Sequence, residues 1–242
     1  MWHNLKALAK AISEELSEAL FRPNCGLCGK VAEKYVCPYC DRQLSACQAA
    51  EPIQADPNLP SSILLFAWGV YEQTLKQAIA RCKYNNQPKI AFHLGIRMGE
   101  VWQSLPQTRN LKLPVIPIPM YPEKQKARGF NQAEELAKGF CQVTDLPHQP
   151  QWLTRVKNTT PQMQTKSKEE REANLQQAFQ AHVPSDRRTQ SVIILDDIYT
   201  TGTTIREAIK ALQTQGVRTA SVVVLARPSF QPPSPKTKPV KN

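Results

Sequence analysis

The sequence lacks the segments that would hold a protein in a membrane or export it from the cell. No apolar run approaches the roughly 18–20 residues that a membrane-spanning helix needs. The amino-terminal stretch carries Glu14, Glu15 and Glu18, where a signal peptide would need an apolar centre and a cleavage site. We therefore expect no transmembrane segment and a cytoplasmic location.

The chain also has little of what common nucleotide-binding loops require. It contains nine glycines in 242 residues, and none of them belongs to a G-x-x-x-x-G-K-[ST] phosphate loop or a G-x-G-x-x-G dinucleotide turn. Both of those loop types are therefore excluded. The histidines stand in ordinary sequence contexts, which predicts structural or exposed roles for all four: His3, His93, His148 and His182.

Acidic residues are too few to balance the basic ones. Lysine and arginine number 31 against 20 acidic residues, which gives a formal net charge of +11. This charge favours polyanionic partners, such as nucleic acid, phosphorylated metabolites or an anionic membrane surface. A basic surface that only maintains solubility is the alternative. The length allows one α/β domain with a small appendage.

The chain does have a cluster of cysteines near its amino terminus. In a cytoplasmic protein, seven cysteines point to metal binding or free thiols rather than to disulfides. Four of them follow the spacing C-x2-C-x8-C-x2-C, which predicts a closed, structural Zn²⁺ site: Cys25, Cys28, Cys37 and Cys40. A redox pair is the alternative for one C-x2-C, but it leaves the second unexplained. Cys47 has no evident partner, and Cys82 and Cys141 are predicted to be buried thiols.

The most informative stretch lies near the carboxyl terminus. Residues 192–195 form an aliphatic run that is typical of a central strand buried on both faces of a parallel sheet. Asp196 and Asp197 follow it directly, and a helix with apolar residues at helical spacing begins near Ile205. Between them lies a loop of hydroxyl residues around one glycine: Thr200, Thr201, Gly202, Thr203 and Thr204.

This arrangement predicts a site for a phosphorylated sugar. Ligands of open α/β sheets bind at the carboxyl ends of strands, and a helix amino terminus favours a phosphate. The hydroxyl loop supplies donors, and Gly202 lets the backbone approach closely. Asp196 and Asp197 would repel the same phosphate, so they suit sugar hydroxyls or a hydrated Mg²⁺. An ordinary buried strand and turn is the alternative.

A short run of cations follows the predicted strand at 113–119. Lys124, Lys126 and Arg128 lie in the stretch 120–130, which reads as a loop. Three cations beside a strand end are suited to a pyrophosphate or a nucleic-acid backbone. A solvated run of charges is the simpler alternative.

Strands and helices alternate along most of the chain, which predicts a mostly parallel sheet flanked by helices. The amino-terminal helix is amphipathic, and packing against the protein or a partner is favoured over a membrane surface because its polar face is not dominated by cations. We predict five segments: an amphipathic helix at 1–22, a Cys₄ zinc finger at 23–48, a linker at 49–62, the α/β domain at 63–227 and a disordered basic tail at 228–242.

Residues 192–204 resemble the phosphoribosyl-pyrophosphate (PRPP) signature of type I phosphoribosyltransferases at every position. The chain between residues 25 and 227 resembles the ComF family, which joins a cysteine zinc finger to such a domain. The similarity rests on the cysteine cluster and the PRPP signature, together with further blocks: Lys83-Tyr84, Pro117-Ile118-Pro119, Arg128-Gly-Phe-Asn-Gln132, Thr160-Pro-Gln162, Ser167, Arg171, Asn174 and Phe179.

The resemblance implies roles for the candidate residues. Asp196 and Asp197 would hold the ribose 2′- and 3′-hydroxyls of PRPP with Mg²⁺, and the hydroxyl loop at 200–204 would hold its 5′-phosphate. The family implies a role in natural competence, the uptake of single-stranded DNA, while some relatives are linked to carbon-source utilisation.

Two hypotheses for the function follow. The fold can serve DNA handling, in which the finger would dock a helicase or another competence component. Three aromatic residues would then offer stacking surfaces for bases: Tyr84, Tyr121 and Phe130. Alternatively, the protein is an active phosphoribosyltransferase with an unidentified acceptor, because no hood segment for a base is recognisable.

Overall fold

The computed structural model describes residues 23–157, 177–188 and 190–229. The predicted helix at 1–22 and residues 230–242 of the predicted tail lie outside the described residues. So does the stretch between Thr160 and Asn174 that contributes to the family resemblance. No helix in the described ranges is long and apolar enough to cross a membrane.

A five-stranded sheet forms the centre of the fold, in the order β1-β2-β7-β6-β3. Only β1 runs antiparallel to its neighbour, so the predicted mostly parallel sheet is confirmed. The strands along the chain are β1 (Ile53–Gln54), β2 (Leu64–Val70), β3 (Val115–Pro117), β4 (Leu153–Arg155), β5 (Phe179–Ala181), β6 (Ser191–Ile198) and β7 (Arg218–Arg227). A separate antiparallel pair is formed by β4 and β5.

Strand β6 is central, as its continuous apolar run predicts. Ile194 on β6 lies opposite Ile116 on β3 and Val222 on β7. Because the strand is paired on both sides and covered on both faces, residues 192–195 are fully buried. The acid pair that follows is therefore held at a fixed position on the sheet edge.

Helices cover both faces of the sheet. The described α-helices are α1 (Pro38–Ser45), α2 (Gln73–Tyr84), α3 (Pro88–Ser104), α4 (Pro122–Arg128), α5 (Gln132–Thr144) and α6 (Thr203–Gln213). Ile193 and Leu195 belong to one core cluster, which includes apolar residues of α1, α2, α3 and α5. Val192 and Ile194 belong to the second cluster, with residues of α6 and the β4–β5 pair. Successive side chains of β6 therefore point to opposite faces of the sheet, and each face has its own apolar core.

Two glycines allow α3 and α5 to cross in close contact. A Cβ added to Gly95 would collide with the backbone carbonyl of Leu136, and one added to Gly139 would collide with the carbonyl of Phe92. Each clash involves a backbone atom, which cannot rotate away as a side chain could. The helices must therefore separate to admit a larger residue at either position.

Gly95→Ala should destabilise the fold by about 3 kcal/mol, the upper part of the range for overpacked cores. Gln77→Ala, at an exposed position of α2, is the matched control and should change the free energy of unfolding by less than about 0.5 kcal/mol. Denaturant titration of both variants measures this difference. Equal stability of the two variants would show that the helices adjust freely.

Two segments differ from the sequence-based prediction. The predicted linker at 49–62 contains β1, in which Ile53 pairs with Phe66 and Gln54 pairs with Leu65 of β2. The predicted loop at 120–130 contains helix α4. Both elements are short, and none of the residues of α4 is buried, so neither leaves a periodic apolar pattern.

Candidate functional site

A pocket of about 530 Å³ opens at the carboxyl ends of the parallel strands. This is the edge at which open α/β sheets bind ligands. Strand ends, helix ends and the hydroxyl loop all contribute to its wall. The lining residues that bear on function are Lys83, Arg128, Gln132, Arg155, Asp196, Asp197, Thr200 and Thr204.

The acid pair lies on the pocket wall at the end of β6. Asp197 Oδ2 is 2.6 Å from Lys83 Nζ, and the backbone N–H of Asp197 donates to Asp196 Oδ1 at 2.8 Å. Burial and the neighbouring charge of Asp197 raise the pKa of Asp196 well above its usual value. Burial opposes the charge of Lys83, but the attraction of Asp197 prevails and raises the pKa of Lys83. The two acids therefore differ: Asp197 is paired with the Lys83 ammonium, whereas burial beside Asp197 raises the pKa of Asp196.

The hydroxyl loop brings only part of its predicted set to the pocket. Thr200 and Thr204 line the wall. The hydroxyls of Thr201 and Thr203 lie 2.9 Å apart, and Arg206 donates to the Thr201 carbonyl at 2.8 Å and to the Thr203 hydroxyl at 3.2 Å. These contacts fix the shape of the loop, and the first turn of α6 follows it.

Gly202 is required at the centre of the loop. Its φ is +70°, in the left-handed region that favours glycine. A Cβ at this position would also lie 2.6 Å from Cζ of Tyr199. The buried Tyr199 ring thus supports the loop from below, and no larger residue fits between ring and backbone.

The amino terminus of α5 forms a second wall of the pocket. Asn131 caps the helix by accepting from the Ala133 N–H at 3.2 Å and anchors it by donating to the Ile118 carbonyl at 3.0 Å. Gln132 is 2% exposed, and its side-chain nitrogen and oxygen have no hydrogen-bond partner within the described part of the chain. Leaving a buried amide unsatisfied is unfavourable by about 1–3 kcal/mol, so Gln132 is suited to a ligand that pairs with it.

The predicted cations are not equivalent. Arg128 lines the pocket, whereas Lys126 is exposed and absent from the lining. Burial and the positive charges of Arg155 and Arg128 lower the pKa of Lys124, which places these three cations near one another. Lys124, Arg128 and Arg155 therefore form a positive rim that suits a polyanionic group.

The three aromatic residues predicted to stack on bases also differ in exposure. Tyr84, the last residue of α2, is 81% exposed, and Tyr121 is half-buried. Phe130 is only 7% exposed, so the prediction that it offers a stacking surface is wrong.

The cysteine cluster forms a second candidate site. The sulfur atoms of Cys25, Cys28, Cys37 and Cys40 all lie within 4.8 Å of one another, and the Sγ atoms of Cys28 and Cys37 are 3.7 Å apart. A tetrahedral ion with metal–sulfur distances near 2.3 Å places its ligands roughly 3.8 Å apart. The four thiols can therefore hold a metal ion, as their spacing predicts.

Backbone hydrogen bonds and burial shift the pKa values of thiols in this cluster. The Cys37 N–H donates to Cys25 Sγ at 3.3 Å. Burial opposes ionisation of Cys25, but such N–H contacts lower its pKa to about 6. Burial and neighbouring thiols instead raise the pKa of Cys40. Several thiolates are thus unfavourable together unless a cation balances their charge.

The segment that carries the cysteine cluster is packed against the main fold. His93 Nε2 lies 2.7 Å from Asp41 Oδ1, and Arg97 donates to the Ser45 hydroxyl at 2.7 Å. The buried residues of this segment belong to the same core cluster as α2 and α3, among them Cys25, Val36, Cys37, Cys40 and Leu44. The cysteine cluster and the sheet therefore share one apolar core.

The other cysteines lie outside the cluster. Cys82 is fully buried, as predicted, and Cys141 is half-buried. Burial raises the pKa of each of these two thiols to about 12. Cys47 is half-buried, and its Sγ lies 3.5 Å from the Gln43 carbonyl.

Sequence reasoning gave no role to three residues that the fold brings to the pocket. Lys83 and Gln132 stand in sequence blocks on which the family resemblance rests. That resemblance is the sequence signal that could have identified them as site residues. Arg155 ends β4 with no motif around it, and its guanidinium lies 5.5 Å from the ring centre of Phe179 on β5. Only the tertiary fold places it beside Asp196.

Comparison with known proteins agrees with this architecture. A family model described as the phosphoribosyl transferase domain matches residues 127–241. Competence protein F of Haemophilus influenzae is 31% identical over 210 residues and covers 85% of each chain. The DNA utilization protein YhgH of Escherichia coli O6:H1 is 28% identical over 84% of this chain and 89% of its own.

Two further matches are more distant or more limited. Competence protein ComFC of Bacillus subtilis is 28% identical over 78% of this chain and 75% of its own. The solved structure of Leishmania donovani UMP synthase is 19% identical with a TM-score of 0.36, and the match covers 91% of this chain but only 35% of that chain. At that score the structural likeness supports no argument.

Proposed function

This chain belongs to the ComF family, and we propose that it handles single-stranded DNA during natural transformation, in the cytoplasm, on a domain that binds PRPP. The names of the relatives, competence proteins and DNA utilization proteins, support the biological role. The main support for PRPP as the ligand is that one pocket is lined by the acid pair, by two residues of the hydroxyl loop and by two cations of the positive rim: Asp196, Asp197, Thr200, Thr204, Arg128 and Arg155.

The donor site follows from the pocket geometry. We assign the ribose 2′- and 3′-hydroxyls to Asp196 and Asp197, because carboxylates accept hydrogen bonds from such diols. We assign the 5′-phosphate to the loop of Thr200, Thr201, Gly202, Thr203 and Thr204, which precedes the positive end of the α6 dipole. The left-handed Gly202 and the Thr201–Thr203 contact support this assignment because they shape a narrow cradle.

The pyrophosphate of PRPP would occupy the positive rim. Arg128 and Arg155 line the pocket, Lys124 lies near both, and α5 directs its amino terminus toward the same space. The carboxylate oxygens of Asp196 and Asp197 are of the type that Mg²⁺ prefers, so these residues would hold the ion with the ligand. When bound, Mg²⁺ would supply positive charge that balances the pyrophosphate.

A phosphoribosyltransferase with an unidentified acceptor is the second candidate, and the co-location of donor residues and cations favours it. In that reaction the C1–O bond to pyrophosphate breaks, its electron pair leaves with the pyrophosphate, and the acceptor forms the new bond at C1 and loses a proton. The residues would act by positioning and electrostatic stabilisation. Release of pyrophosphate in a screen of acceptor bases would identify this activity.

The cysteine cluster is proposed to hold Zn²⁺ in a closed, structural site. All four ligands come from the protein, which leaves no position for a substrate. We keep the predicted division into a finger at 23–48 and a phosphoribosyltransferase domain at 63–227 as proposals. The finger is proposed to dock a helicase or another competence component.

Single-stranded DNA should bind with an affinity that falls steeply with salt, because backbone contacts release counterions. Replacing Lys124, Lys126 and Arg128 by alanine should weaken binding about tenfold or more and reduce the slope of log affinity against log salt by up to about 2. Fluorescence anisotropy with a labelled oligonucleotide over a salt series measures both quantities.

The matched control is Lys112→Ala, which removes one exposed cation before β3, at the opposite edge of the sheet from the pocket. It should leave both affinity and salt dependence nearly unchanged. An affinity that does not change with salt concentration would contradict the DNA assignment. So would a triple variant that binds DNA with the same affinity and salt dependence as the control.

A further inference from the structure

We propose that this pocket binds the 5′-phosphorylated end of a DNA strand, with the terminal phosphate in the hydroxyl loop and the first sugar beside Lys83 and Asp197. The inference rests on the proposed function, because it uses the same phosphate cradle. It adds a ligand class to that site: a strand terminus rather than a free phosphoribosyl donor.

The chemical basis is the order of groups along the ligand. A 5′-terminal nucleotide carries a phosphate, a pentose and a base in the same sequence as the nucleotide that phosphoribosyl transfer would produce. A site that cradles a 5-phosphoribosyl group therefore already contains contacts for such an end. The difference lies at the sugar, because DNA lacks the 2′-hydroxyl and its 3′-oxygen carries a phosphodiester.

The sugar site is arranged to accept that difference. Two ionised acids alone would repel a phosphodiester, but Lys83 Nζ lies 2.6 Å from Asp197 Oδ2 and contributes a positive charge. The Lys83 side chain is 25% exposed, so its ammonium can contact an incoming phosphodiester while it remains near Asp197.

A buried amide in the lining of the pocket also indicates a ligand. Gln132 lines the pocket, is 2% exposed and has no partner for either side-chain group among the described residues. Its carboxamide offers a donor and an acceptor side by side, the pattern that recognises the edge of a base. The base of a terminal nucleotide would bring the matching groups.

The next base of the strand has a surface beside the pocket. Tyr84 follows Lys83 directly, ends α2 and is 81% exposed. Base–aromatic stacking of this kind contributes about 1–3 kcal/mol per base and is tolerant of sequence. With Lys83 directed into the pocket and Tyr84 directed outward, the strand would leave the site over the end of α2.

The test compares two short single-stranded oligonucleotides of identical sequence, labelled at the 3′ end, one with a 5′-phosphate and one with a 5′-hydroxyl. We expect the phosphorylated strand to bind at least about tenfold more tightly, since the phosphate gains charge-assisted hydrogen bonds. Saturating PRPP and Thr204→Val should each remove most of that preference. Lys112→Met, a charge-removing control on an exposed loop, should keep it.

Calorimetric titration with PRPP runs in parallel and separates this inference from the donor-site proposal. Equal affinity for the two strands while PRPP binds would overturn the inference and leave the donor site standing. A 5′-phosphate preference without PRPP binding would support the inference and overturn the donor site. A preference that survives both saturating PRPP and Thr204→Val would place the strand end elsewhere and also overturn the inference.

Discussion

The double variant Asp196→Asn with Asp197→Asn should lose PRPP binding by about 100-fold or more while keeping its fold. Each substitution replaces a carboxylate acceptor by an amide whose N–H groups face the ribose hydroxyls, so two charge-assisted hydrogen bonds are lost. Lys83 also loses the carboxylate that lies 2.6 Å from its ammonium. Isothermal titration calorimetry measures the binding, and thermal unfolding tests the fold.

Asp186→Asn is the matched control for this change. Its side chain is 71% exposed and pairs only with the neighbouring Arg187 in the described structure, so PRPP affinity should be unchanged. Binding of PRPP by a folded double variant at the affinity of the unmodified protein would remove the assigned ribose role from both acids.

Cys25→Ser should release the metal and destabilise the protein well beyond the finger. Cys25 is 1% exposed and belongs to the core cluster that contains Leu75 and Ile90 of α2 and α3, so loss of the site opens a face of the main fold. We expect a loss of roughly 3 kcal/mol or more in the free energy of unfolding. For a chain of this size that corresponds to a fall of about 6–12 °C in the unfolding midpoint.

Metal analysis and calorimetric unfolding together measure this outcome. About one Zn²⁺ per chain is expected in the unmodified protein and almost none in Cys25→Ser. Cys47→Ser serves as the control, because Cys47 is half-buried and lies outside the metal cluster; its metal content and stability should not change. A Cys25→Ser protein with full metal and an unchanged midpoint would show that the cluster is not the site.

The central part of the fold could be predicted from the sequence because its signals are local. The apolar run at 192–195 ends in Asp196 and Asp197, and that order alone places the acids at the carboxyl end of a buried strand. The spacing of Cys25 and Cys40 with their partners likewise fixes four thiols on one centre. In both cases the residues that form the pattern lie within one short stretch of sequence.

The missed elements lack such signals. Strand β1 pairs only Ile53 and Gln54 with β2, too short a run for alternation to be visible. Helix α4 buries no residue, so apolar periodicity cannot reveal it. Pro122 at its start and the left-handed Gly129 at its end, with φ of +87°, are the cues that could have identified it.

The site was predictable only where its residues are contiguous. Lys83 reaches Asp197 across more than a hundred residues of sequence, and Arg155 comes from a strand outside the main sheet. Gln132 reaches the pocket because Asn131 anchors the start of α5 to the end of β3. These juxtapositions depend on how the helices pack on the sheet, which no local spacing encodes.

Titration of the purified protein with PRPP, with and without Mg²⁺, tests the central claim most directly. We predict binding of about one PRPP per chain that weakens strongly when Mg²⁺ is withheld, because the pyrophosphate and the acid pair both need a balancing cation. Absence of binding heat in both conditions, from protein that carries its metal and unfolds cooperatively, would contradict the assignment of the pocket to a phosphoribosyl ligand.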